Sequence, residues 1–156
     1  MRRLFALTLL FLGCGQPGSE TVPSEARAVP APKERSDAAL DDAQEAVFRH
    51  LFQHNHSALQ SRANAYCLSF ARNTEPAEEF LQRFKDHSPP VRKLSEFQDG
   101  RDLQFSIDSA RWIDDDTVEI EGGYFEHGDS ASSNRYQVSR ESGQWVVVED
   151  KLLSIS

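Results

Sequence analysis

Between Leu103 and Glu149 the chain repeatedly places an apolar residue at every second position, and this pattern limits the fold more than any other feature. Leu103, Phe105 and Ile107 alternate, then Val118, Ile120 and Gly122, then Tyr136 and Val138, and the run closes on the continuous "WVVVE". Side chains of a strand point alternately to opposite faces, so a period of two predicts four or five antiparallel strands with one buried face. "DDDT" at Asp114 to Thr117 and "ESGQ" around Gly143 read as the hairpin connections, the glycine supplying a left-handed residue. Gly122 and Gly123 fall inside the otherwise strong "EIEGGYFEHG". Glycine weakens a strand unless a bulge or bend is needed, so the sheet is expected to curve strongly there.

Upstream the period changes to that of a helix. Leu40, Val47, Phe48 and Leu51 recur at three- and four-residue spacing, Ser36 or Asp37 can cap the start, and Asp41 and Asp42 sit in the early turns. A short strand is expected at Tyr66–Phe70. "NTEPAEEFLQRFKDHSPP" then predicts a second, shorter helix, with Thr74 as its cap, Pro76 in its first turn and Pro89 and Pro90 beyond its end. Phe80, Leu81 and Phe84 form its buried stripe. The expected class is α+β: an N-terminal helix and a second shorter helix packed on a strongly curved antiparallel sheet of four to six strands.

The chain opens with "RRLFALTLLFLGC". Its apolar run, Leu4 to Leu12, is far short of the roughly 20 residues that a spanning helix needs, so it reads as the apolar region of a signal peptide behind Arg2 and Arg3. "LFLGC" resembles the lipobox of bacterial lipoproteins. That resemblance implies cleavage after Gly13 and acylation of Cys14, which becomes the first residue of the mature chain. Residues 1–13 are then the lipoprotein signal peptide and 14–35 a lipidated disordered tether, since Gly15 to Arg35 holds four of the seven prolines and no aromatic residue. As a flexible coil the tether would reach about 25 Å. Gly15 stands where, in such lipoproteins, Asp marks retention at the inner membrane, and this favours the outer membrane in a host with two.

Residues 36–156 are long enough for one hydrophobic core without metal or disulfide support. Loss of Arg2 and Arg3 with the signal leaves 15 Lys and Arg against 25 Asp and Glu, a net charge of −10. So acidic a surface argues against nucleic acid as a partner. With Cys14 committed to lipid, Cys67 in "NAYCLSF" has no partner for an internal disulfide and reads as a small buried hydrophobe. "HLFQHNH" places His50 and His54 one helical turn apart with His56 beyond, but His56 points nearly opposite and the three do not converge, so no metal site is read there. Asp114, Asp115 and Asp116 project divergently and lack the spacing of a calcium loop. No catalytic motif and no cofactor fingerprint is present.

Helices first and a curved meander after them is the order of elements in the cystatin-like superfamily, which includes nuclear-transport-factor-2-like proteins and enzymes of the scytalone dehydratase type. The block "SARWIDDDTVEIEGGYFEHGDSASSNRYQVSRESGQWVVVED" is similar to an uncharacterised family of small exported bacterial lipoproteins. The resemblance implies one cone-shaped domain and an exported life, and it carries over no catalytic residue.

Two function classes follow. In the first, the chain is a membrane-tethered extracytoplasmic binding or structural module of the cell envelope, meeting an envelope protein or a small molecule at its surface. The alternative is a small hydrolase, isomerase or dehydratase with an open cone, its candidate groups being Asp108, Tyr66, Tyr124, Glu126 and His127. Asp108 is expected to point outward, and Glu126 and His127 to be solvated at a strand end. Phe48 to Trp145 spans every aromatic residue outside the signal, enough to fill the space between helices and sheet. A packed, catalytically inert interior is therefore expected. A pocket of about 300 Å³ or more, lined by two facing groups from Asp, Glu, His or Tyr, would instead favour the enzyme.

Overall fold

Ser36 opens the first helix, α1 (Asp37–His54), by turning its hydroxyl back to accept from the Ala39 amide at 3.2 Å. The computed structural model describes residues 35–128 and 130–156; the expected signal peptide, Cys14 and the tether up to residue 34 lie outside the described residues. Ala39, Ala43, Val47, Phe48, Leu51 and Phe52 form the buried face of α1, which lies against strands of the sheet. Phe48 ties α1 to the residues after it in the chain, with ring centroids of Phe70, Phe80, Phe84 and Phe52 between 5.8 and 6.4 Å away. A buried Phe with such neighbours is worth about 3–5 kcal/mol against Ala, so Phe48→Ala is expected to be strongly destabilising.

Strand β1 (Tyr66–Phe70) is followed by a turn and then by α2 (Glu78–Leu81), which continues as a single 3₁₀ turn over Gln82–Phe84. The helix starts later than its sequence suggests. Thr74 closes the turn after β1 instead of capping α2: its carbonyl accepts from the Phe70 amide at 2.7 Å and its hydroxyl donates to the Ala71 carbonyl at 2.9 Å. Phe80, Leu81 and Phe84 are buried, as their spacing predicts.

Strands β2 (Val91–Lys93), β3 (Leu103–Trp112), β4 (Thr117–His127), β5 (Ser130–Glu141) and β6 (Gln144–Ile155) complete one open six-stranded sheet in the order β2-β1-β3-β4-β5-β6. The class is α+β, with two helices and a mostly antiparallel sheet. Strands β3 to β6 are antiparallel neighbours, whereas β1 runs parallel to both β2 and β3. This corrects the purely antiparallel expectation. A period of two reports which face a residue occupies and is silent on the direction of the neighbouring strand, and the long connection through α2 permits a parallel one.

Leu103, Phe105, Ile107, Val118, Ile120, Tyr136 and Val138 all face the core. Between Ile107 and Ser109 the register of β3 against β4 shifts, leaving Asp108 as an extra, exposed residue beside Gly122. A Cβ built on Gly122 would collide with the Ser106 carbonyl oxygen, and one on Gly123 with that of Ser132. Close approach of neighbouring backbones, and not left-handed torsion, is what demands glycine here. The β5–β6 turn does use left-handed torsion, with φ of 51° at Ser142 and 85° at Gly143. No helix among the described residues is long and apolar enough to cross a membrane.

Candidate functional site

Strand β4 sends Val118, Ile120, Gly122 and Tyr124 inward, and Glu126 continues the same stripe, only 3% exposed. Here the solvated reading of Glu126 is corrected. A second register shift, between Phe125 and His127, sets Glu126 apart as the unpaired residue of a bulge, the kind of place where a strand re-aims a side chain. Its Oε2 accepts from the Ser57 hydroxyl at 2.9 Å and from the Ser130 hydroxyl at 3.1 Å, while Oε1 lies 3.6 Å from Nε2 of the exposed His127.

Ser57 is placed by the end of α1. Asn55, the residue that closes this helix, donates its amide to the Leu51 carbonyl at 2.9 Å and accepts from the Ser57 amide at 3.0 Å. The Ser57 hydroxyl in turn accepts from the Leu59 amide at 2.9 Å. Each polar atom thus holds the loop after α1 in one shape, and Glu126 anchors that loop to the end of β4. Burial raises the Tyr124 pKa, the neighbouring Glu126 charge raises it further, and a hydrogen bond with Ser130 works the other way.

Beside Ser57 opens a groove of about 630 Å³, lined by Ser57, Gln60, Ser61, Ala63, Tyr66, Ser88 and Pro89. Tyr66 is the one Asp, Glu, His or Tyr in this lining. Its phenol donates to the Gln60 carbonyl at 3.3 Å, and burial raises its pKa. The structure therefore sets Tyr124 and Glu126 on one inward stripe, places Tyr66 in the same groove lining as Ser57, leaves His127 exposed beside Glu126 and sends Asp108 to the surface elsewhere. A hydroxyl bonded to a buried carboxylate resembles an activated nucleophile, but a nucleophilic serine needs a base that can take its proton and a free line of attack. Glu126 is shared between two hydroxyls, and Ser57 also receives the Leu59 amide. The arrangement suits a clamp.

A second groove, of about 440 Å³, lies between α1 and the β5–β6 turn and is lined by Asp42, Glu45, Ala46, Arg49, Gly143, Gln144 and Trp145. Its two carboxylates lie about one turn apart on α1 and converge on a single guanidinium nitrogen. Arg83 Nη1 donates to both, at 2.7 Å to Asp42 and 2.9 Å to Glu45.

His50 and His54 do meet, with stacked rings 4.3 Å apart, and His54 Nδ1 lies 3.0 Å from the His50 carbonyl. His50 Nε2 turns away to Asp150, and His56 is exposed beyond the helix. Cys67 is fully buried on β1, opposite Gln104. Burial pushes its thiol up to about 12, with the Asp102 charge adding to the effect. Asp102 is itself 1% exposed and accepts from the Gln98 amide at 2.9 Å.

Sequence reasoning overlooked Ser57, Asn55, Ser130 and Asp102. The signal for Glu126 was available, because the even-numbered positions of β4 form an unbroken inward series. Asn55 and Ser57 follow the helix in the "NHS" spacing of a polar cap, a local sign of structure. Comparisons with family models, curated proteins and solved structures returned no match to this chain.

Proposed function

We propose that the chain is a lipoprotein of a bacterial cell envelope, anchored by acylation of Cys14, with residues 14–35 as tether and residues 36–156 as a cystatin-like, nuclear-transport-factor-2-like cone. The domain works by recognition at its surface, of an envelope protein or a small molecule, and performs no chemistry in its interior. The observation that carries this reading is the filling between α1 and the sheet. Phe52 lies against Tyr66, Phe84 and Phe105 with centroids 5.0 to 5.6 Å apart, and the inward residues of β3 are apolar throughout. The element order and the bulge at Asp108 opposite Gly122 support the cone. The lipid anchor is supported by the charged start, the nine-residue apolar run and "LFLGC".

The test is Cys14→Ser. It shifts the protein from the membrane to the soluble extracytoplasmic fraction; a variant that stays membrane-bound would sink the anchor. Buried Glu126 beside the Ser57 groove favours a second reading, an enzyme of hydrolase, isomerase or dehydratase type. A fluorophosphonate probe that labels Ser57 in the folded protein, and loses it in Glu126→Gln, would promote that reading over the first.

A further inference from the structure

Among the described residues, four of the five large hydrophobic side chains left exposed belong to one strand: Val148, Leu152, Leu153 and Ile155 of β6, against Ile113 elsewhere. That strand is an edge of the sheet, bonded to β5 on one side and, among the described residues, to no strand on the other. A long, apolar, unpaired edge is a template for a further strand, and soluble proteins ordinarily blunt or cover it. The bulges of β6 restrict what can be added. Its register against β5 shifts at Val148 and at Leu153, so the regular run is Glu149 to Leu152.

We propose that this edge is covered by a second copy of the chain, β6 against β6 in antiparallel register, with Asp150 facing its symmetry mate. A two-fold axis normal to the sheet pairs each residue with one on the same face, so some residue must meet itself at the axis. With Asp150 there, Lys151 of each copy stands directly opposite Glu149 of the other, twice over, and Leu152 falls beside the bulge at Val148. Centring the pair one residue later would set Lys151 against Lys151 and leave Glu149 facing Leu153. About this centre the two flanking Glu149–Lys151 pairs are complementary, and they outnumber the single Asp150–Asp150 contact at the axis. Asp150 bears the central position because its carboxylate is already engaged, 2.8 Å from His50 Nε2 and accepting from the Asn134 amide at 2.6 Å. Glu149 and Lys151 lie on the opposite face of β6, beside Arg135, Gln137 and Glu119. The proline-rich segment 15–35 of the same chain is a poor rival for the edge, because four prolines lack the amide that a ladder requires. The pairing needs no lipid anchor, so it stands or falls apart from the function proposed above.

The experiment uses the purified full chain. Asp150→Cys, oxidised with copper phenanthroline, forms a disulfide-linked dimer well above the background of the unsubstituted chain, while Leu153→Cys, six residues out of register with its own mate, does not. Because Asp150→Cys gives up the His50 contact, a second series keeps Asp150 in place. Glu149→Lys and Lys151→Glu each set like charges opposite one another and weaken the dimer about tenfold in sedimentation, and an equal mixture of the two variants restores it as a heterodimer. Failure of Asp150→Cys to cross-link, cross-linking of Leu153→Cys to the same extent, or single charge variants that associate as well as the parent would each overturn the proposal.

Discussion

His50 Nε2 lies 2.8 Å from Asp150 Oδ2, joining α1 to the last strand across 100 residues of chain. The His50 ring also meets Tyr136 edge-on at 5.7 Å, and burial raises the Tyr136 pKa, with the Asp150 charge adding to it. One imidazole therefore ties the helix to both β5 and β6. His50→Ala and Asp150→Ala are each expected to lower stability by about 1 kcal/mol, with a coupling of about 0.5–1.5 kcal/mol in the double-mutant cycle. Urea denaturation of the four chains measures it, and strictly additive losses would show that the contact contributes nothing.

Glu126 is expected to act through the loop that it anchors. Glu126→Ala leaves the Ser57 and Ser130 hydroxyls without their acceptor and should cost about 2–3 kcal/mol. Glu126→Gln retains a carbonyl acceptor and should cost less. Equal losses in the two variants, read from denaturation midpoints, would mean that the two hydrogen bonds carry little.

Gly122 and Gly123 should be intolerant of any side chain. A methyl group at either one meets a backbone oxygen, which cannot rotate away as a side chain would. Gly122→Ala is expected to destabilise by about 1–3 kcal/mol, and replacing both glycines by Val to abolish cooperative unfolding. An unchanged melting midpoint for the double variant would contradict the close approach.

Cys67 should be inert in the native protein. With its thiol pushed up to about 12, it carries almost no thiolate at pH 8, and burial denies access as well. A maleimide should label it only after unfolding. The unfolded thiol titrates near 8.5, so between about pH 9 and 12 the unfolded chain loses a proton that the folded chain keeps. Stability contributed by the buried thiol is accordingly intact below pH 8.5 and declines as pH rises through that window. Cys67→Ala should flatten the decline; an identical alkaline profile would place its cause elsewhere.

What the residues determine alone is set by short-range geometry. The apolar spacing of α1, the Ser36 cap, the alternation in β3 and β4 and the glycines of the bulge are all governed by neighbours within a few positions, and each is legible without coordinates. Two features depend on segments far apart in the chain. The direction of β1 against its neighbours follows from how the connection through α2 returns, which alternation cannot encode. Glu126 looks like a solvated strand end until Ser57 and Ser130 close over it. Local pattern records which face a side chain occupies, whereas burial of a charge and the pairing of an edge depend on which distant segment covers it, and only the assembled sheet decides that.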